Sequence, residues 1–286
     1  MTSETKGSRF KRWKKPLTIA FFLLLIVLFT LLARRIDWSE VVQPLGDFKV
    51  RTLVIASALT LCSFLVYASF DLIGRTYIRQ PLGWKQILPV GIISYAFNLN
   101  LSAWVGGIAM RYRLYSRLGV STGNIAKILG LSLATNWFGY MAIAGVVFSS
   151  GLVTMPPGWK VSTTALQGIG ALLVLASLGY LVACQFSKKR AWTIRGMEIN
   201  LPSLRMACLQ LMLGALNWSL MAAVIFTLLP AKLDYPLVLG VLLISAIAGV
   251  LTHIPAGLGV LEAVFIALLQ HEASRGSLLA GLIAYR

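Results

Sequence analysis

The chain has 286 residues, of which 58% are hydrophobic and 12% charged, with a mean hydropathy of +0.80. Soluble domains run at about 45–50% apolar and about 25% charged, so a soluble enzyme, a secreted disulfide scaffold and a disordered chain are all excluded. The 26 Lys and Arg against 9 Asp and Glu, net +17, fit an anionic lipid surface and a positive-inside bias better than they fit nucleic acid.

The apolar residues fall in blocks near the roughly 20 residues that a spanning helix needs: 16–33, 53–73, 86–110, 125–149, 163–186, 206–229, 237–270 and 277–286. Lys6, Arg9, Lys11, Arg12, Lys14 and Lys15 precede the first block. That block is longer than a signal core of about 7–15 residues and no small-x-small cleavage site follows it, so it is expected to be an anchor with its basic leader, 1–15, in the cytoplasm. Block 86–110 carries Asn98, Asn100 and Gly106-Gly107 and ends in Arg111 and Arg113; block 237–270 is broken by His253-Ile-Pro255-Ala-Gly257-Leu-Gly259. The last block is too short to span, so the chain is expected to end inside a helix. Cys62, Cys184 and Cys208 sit in apolar surroundings without metal-ligand spacing and read as small buried hydrophobes.

Charge decides whether block 86–110 crosses. If it enters and returns on the cytoplasmic side, 18 of the 26 basic residues face inward; if it crosses, nine of these move outside, against the bias of Lys and Arg towards the cytoplasm. For block 237–270 the repeat decides. Blocks starting at 16, 53, 86 and 125 are followed by blocks starting at 163, 206, 237 and 277, offsets of 147, 153, 151 and 152. Each half reads as helix, helix, broken segment, helix. An odd number of crossings in the first half turns the second upside down. The expected fold is therefore an all-α polytopic membrane protein in a single domain. It is an inverted repeat of three spanning helices plus one re-entrant helical hairpin per half, covering 16–149 and 163–286, with the last helix truncated.

Matching Gly106 with Gly257 sets Arg111 opposite Glu262, either as a midplane pair or as two residues at opposite interfaces. Pro255, Gly257 and Gly259 motivate a break that exposes half-helix N-termini, attractive to phosphate; close helix packing is the other explanation. Ser132, Asn136 and Tyr140 form one polar stripe and Gln210, Gly214 and Asn217 another, expected to face the bundle interior. Tyr67 and Asp71 lie one turn apart, and Asp71 is expected to pair with Arg75 at i, i+4. His253 reads as a packing residue or a functional one. It has no neighbouring ligand for a metal, and the chain carries no hydrolase, zinc-protease or phosphate-loop motif, so neither metal, cofactor nor enzymatic activity is expected.

The run Asn98-Leu-Asn100-Leu-Ser-Ala-Trp104-Val-Gly106-Gly107-Ile-Ala-Met-Arg111-Tyr-Arg113, with His253-Ile-Pro255-Ala-Gly257-Leu-Gly259-Val-Leu-Glu262, resembles the lysylphosphatidylglycerol synthase transmembrane-region family. The resemblance covers essentially the whole chain. It implies a bacterial inner-membrane, flippase-like protein that moves phospholipid between leaflets, with Arg111, Pro255, Gly257, Gly259 and Glu262 in its functional core. The synthases' aminoacyl transfer resides in a separate cytoplasmic domain that has no counterpart in this sequence, so that activity is not carried over.

The expected function is the handling of an anionic or aminoacylated phospholipid, with secondary transport of a small anion or amphipathic metabolite as the alternative. The expected substrate-binding set is Asn98, Asn100, Arg111, Arg113, Asn136, Asn217, His253, Pro255, Gly257, Gly259 and Glu262. Phospholipid is the expected partner and nucleic acid is not; a homo-oligomer stays open.

Overall fold

A computed structural model of the chain describes residues 42–43, 45–78, 81–100, 103–155, 161–188, 191–194, 197–230, 232–252, 254 and 257–286. The expected anchor at 16–33, its basic leader, His253 and Pro255 lie outside the described residues. In chain order come α1 (Val50–Ile78), α2 (Trp84–Asn100), a π-helical segment (Ala103–Met110) running into α3 (Arg111–Arg117), and α4 (Thr122–Ser149). After α5 (Thr163–Phe186) and the strands β1 (Ala191–Ile194) and β2 (Met197–Asn200) come α6 (Leu204–Leu228), α7 (Tyr235–Thr252), α8 (Val260–Leu269) and α9 (Arg275–Tyr285). Five of these helices, α1, α4, α5, α6 and α7, are long and apolar enough to cross a membrane. The short antiparallel hairpin, with Ala191 opposite Asn200 and Ile194 opposite Met197, departs from the all-α expectation. Trp192, Thr193, Ile194 and Ile199 are residues that favour strands.

Helix starts are set locally. The hydroxyls of Ser121, Ser162, Ser203 and Ser274 accept from the backbone N–H three residues on, at 3.4, 3.1, 3.4 and 3.3 Å, each answering an amide that the first turn leaves unpaired. Leu172, Leu175 and Leu178 of α5 stay exposed, as a lipid-facing helix requires, because apolar side chains gain nothing by leaving a hydrocarbon solvent.

The interior is built on α1, α4 and α6, which pack on one another. The closest approach is between α4 and α6 at Gly139 and Gly214, where the two backbones touch and a Cβ on either residue would collide with the other helix.

Both broken blocks double back. Ile87 and Val90, early in α2, share a buried cluster with Tyr115 and Val120. On one straight helix the 28 residues from Ile87 to Tyr115 would span roughly 42 Å. Likewise α8 packs against α7, so that Leu239 and Leu243 meet Phe265 and Leu269 in one core. Gly257 and Gly259 make the second bend at φ 59 and 78°, left-handed backbone that other residues adopt only with strain.

Candidate functional site: a buried polar seam between the helices

Among the described residues, charge enters the interior at one place. Asp71 on α1 and Arg111, the first residue of α3, form an ion pair with both side chains completely buried, Arg111 Nε standing 3.0 Å from Asp71 Oδ2 and 3.2 Å from Oδ1. Arg111 Nη1 donates to the Gly107 carbonyl at 3.0 Å and Nη2 to Ser132 Oγ of α4 at 3.3 Å. Tyr115 donates its hydroxyl to Asp71 Oδ2 at 2.9 Å, and the guanidinium lies 5.5 Å from the centre of the Tyr67 ring. Nothing in an apolar interior screens a lone charge, so each member of this pair depends on the other. The pair also ties the π-helical segment to α1 and α4. Such segments pair poorly with regular helix and often mark functional sites.

One expectation is corrected here, and one of two open alternatives is closed. Asp71 does not pair with Arg75. Asp71 faces inward and Arg75 stays half-exposed, so their i, i+4 spacing is outweighed by the need of a buried carboxylate for a buried cation. Arg111 does not pair with Glu262 either. Glu262 binds Arg286, with Nε to Oε1 at 2.8 Å and the side chains 26% and 15% exposed for Arg and Glu; Arg286 Nη2 also donates to the Gly257 carbonyl at 3.1 Å.

From the Arg111–Asp71 pair a line of polar and aromatic groups runs on through Tyr67. Tyr67 stacks on Tyr95 of α2 with centroids 3.8 Å apart. Tyr95 donates its hydroxyl to Met221 Sδ of α6 at 3.4 Å. Asn217 Nδ2 approaches the same sulfur at 3.7 Å, and Ser63 Oγ donates to Asn217 Oδ1 at 2.9 Å. A side branch joins α4, α5 and α6: Tyr180 donates to Gln210 Oε1 at 2.7 Å, and Gln210 Nε2 donates to Thr135 Oγ1 at 3.1 Å.

The expected binding residues separate accordingly. Arg111 and Asn217 belong to the seam, while the Gly257 carbonyl accepts from Arg286. Asn98 Oδ1 lies beside the Gly107 backbone, 3.4 Å from where a Cβ would stand. The Asn136 carbonyl accepts from Trp218 Nε1 at 3.2 Å. Asn100 is exposed and donates to the Ala96 carbonyl at 2.8 Å, Arg113 is exposed, and Gly259 caps α8. The polar stripes face inward as expected at Ser132, Tyr140, Gln210 and Asn217, all buried. Sequence reasoning missed Ser63, Tyr95, Thr135 and Arg286; Thr135 is adjacent to the stripe residue Asn136, and a wider stripe would have included it.

No family model matches the chain. It is 48% identical over 281 residues to the inner membrane protein YbhN of Escherichia coli, covering 96% of this chain and 88% of that protein. It is 27% identical over 252 residues to the Synechocystis protein slr0712, covering 87% and 78% of the two chains. The chain thus shares nearly half of its aligned positions with a protein named for the inner membrane, and it belongs to the YbhN family.

Proposed function

We propose that this protein moves an anionic or aminoacylated phospholipid between the leaflets of the bacterial inner membrane, using two inverted halves whose broken segments dip in from opposite faces. Residues one repeat apart play matching parts, which supports the inverted repeat. Ser121 and Ser274, 153 residues apart, cap the matching helices α4 and α9. The close approach of Ile128 to Gly74 is answered by that of Gly281 to Leu228, offsets of 153 and 154. Ser63 and Asn217, 154 apart and joined by a hydrogen bond, lie near the midpoints of α1 and α6, which fits a two-fold axis through the middle of the bundle. The doubling back of both broken blocks supports re-entrant hairpins, and the Lys and Arg distribution then sets the N-terminus in the cytoplasm.

The observation that carries the functional reading is the seam itself. Intramembrane charges are costly and persist where they serve a polar path. Here the buried ion pair at Arg111 leads into hydrogen-bonding groups from α1, α2 and α6, and a second, partly open ion pair joins Glu262 and Arg286 beside the bend of the other broken block. A headgroup phosphate entering from the cytoplasmic side competes with Asp71 for Arg111. It is then handed along neutral donors towards Arg286 while the acyl tails stay in lipid. Exposed Arg113 supplies attraction at the cytoplasmic mouth.

Secondary transport of a small anion is favoured by one observation, the complete burial of Arg111, Asp71 and Ser132, which suits a solute smaller than a headgroup. Reconstitution separates the two. Proteoliposomes of the full chain should equilibrate fluorescent phosphatidylglycerol between leaflets at least tenfold faster than empty vesicles, and Arg111→Met should abolish the gain. Lipid exchange at the protein-free rate with an active, folded preparation contradicts the reading.

A further inference from the structure

The middle of the seam holds a mismatch of donors and acceptors. Tyr95 Oη and Asn217 Nδ2, two strong hydrogen-bond donors, both stand within hydrogen-bonding distance of Met221 Sδ, and a thioether is a weak acceptor. The Tyr95 side chain also stands within hydrogen-bonding reach of Asn217 and Ser63, so polar groups from α1, α2 and α6 gather around the Tyr95 hydroxyl. All three are at least 96% buried. Ser94, next to Tyr95 and fully buried, has a hydroxyl with no hydrogen-bond partner among the described residues. Buried donors normally find good acceptors, and a group left short of one costs free energy. Elsewhere in the bundle a tyrosine hydroxyl donates directly to a backbone carbonyl, Tyr140 to Leu243 at 2.9 Å and Tyr235 to Ser219 at 2.9 Å.

The geometry points to a binding site for a phosphate oxygen at this place, formed by Tyr95 Oη and Asn217 Nδ2 with Ser63 orienting the amide. Ser63 donates to Asn217 Oδ1 at 2.9 Å, which fixes the carbonyl end of the amide and turns its NH2 towards Tyr95 and Met221. The donors are neutral. Neutral donors hold an anionic oxygen without trapping it, as an intermediate station between two arginines requires. The ligand is a phosphodiester or phosphate group whose oxygen replaces Met221 Sδ as the shared acceptor. The inference deepens the reading of the seam as a headgroup path and names the station at its centre.

Thermal unfolding of the purified full chain in detergent tests it, with two probes: dihexanoyl phosphatidylglycerol and inorganic phosphate. Ligand that binds only the folded state raises the unfolding temperature by mass action. The short-chain lipid is expected to stabilise the wild type, and the affinity read from its concentration dependence should fall about tenfold in Tyr95→Phe and in Asn217→Leu, the size of one lost hydrogen bond. Should Asn217→Leu fail to fold, Tyr95→Phe, which loses only the hydroxyl, decides alone. Equal stabilisation by inorganic phosphate supports the site and identifies a free anion as its source, against the lipid reading. Lipid binding that needs Tyr95, together with no transfer in vesicles, keeps the site and removes the transport function. No stabilisation by either probe, or wild-type affinity in Tyr95→Phe, overturns the inference.

Discussion

Replacing Arg111 by methionine is expected to destabilise the folded protein by about 3–5 kcal/mol, the cost of leaving a buried charge without its partner. Asp71→Val should cost a similar amount for the mirror reason. The double variant should recover most of the loss and lie within about 2 kcal/mol of the wild type, because an apolar pair of similar volume is often as stable as a buried ion pair. The residual deficit comes from Tyr115, whose hydroxyl loses its acceptor on Asp71, at about 1 kcal/mol. In the proposed repeat the counterpart of Asp71 is the apolar, buried Val224, 153 residues on. Detergent-titrated unfolding measures all three variants. Additive losses in the double variant would mean that the two residues do not act on each other. Lipid transfer, in contrast, should be lost in the double variant as in the singles, because the headgroup then meets no buried cation.

Gly139→Ala is expected to be nearly as damaging through packing alone. Its Cβ would land on the Gly214 backbone, and a helix backbone cannot rotate aside as a side chain can. Overpacking costs typically about 1–3 kcal/mol and more where backbone must move, so about 3 kcal/mol or more is expected, with loss of the α4–α6 contact that holds Ser132 and Thr135 beside the seam. Gly130→Ala, on the same helix with nothing within 4 Å of the new carbon, should be neutral or gain up to about 1 kcal/mol of helix propensity. The same unfolding measurement checks both; a Gly139→Ala protein as stable as the Gly130→Ala protein would contradict the close approach.

The fold was legible where apolar blocks are long. Five of the blocks correspond to helices of spanning length, and the second interrupted block bends at Gly257 and Gly259, glycines in left-handed backbone that other residues resist. The inward polar stripes were legible too, since a polar face every four residues has one low-cost orientation in a bundle. The partners of the charges were not. Spacing along α1 offers Arg75 to Asp71, and repeat alignment offers Glu262 to Arg111, but neither rule sees depth. Asp71 and Arg111, 40 residues apart in sequence, meet because the doubled-back chain carries Arg111 to the buried face of α1. Tyr95 and Met221 were illegible for a similar reason: each lies in an ordinary apolar run, and only their approach across α2 and α6 gives them a polar role. The β1–β2 hairpin escaped because four-residue strands between two long helices leave too little periodicity to read.

Opposed insertion of the two doubled-back segments is the claim on which the rest depends, and side-specific cysteine labelling tests it most directly. Arg113 and Glu272 are both exposed, so each can be replaced singly by cysteine in a background with Cys62, Cys184 and Cys208 changed to alanine, and probed with an impermeant maleimide in right-side-out and inverted vesicles. Position 113 should label from the cytoplasmic face alone and position 272 from the periplasmic face alone. Labelling of 113 from the periplasm, or of both positions from the same side, would contradict the account.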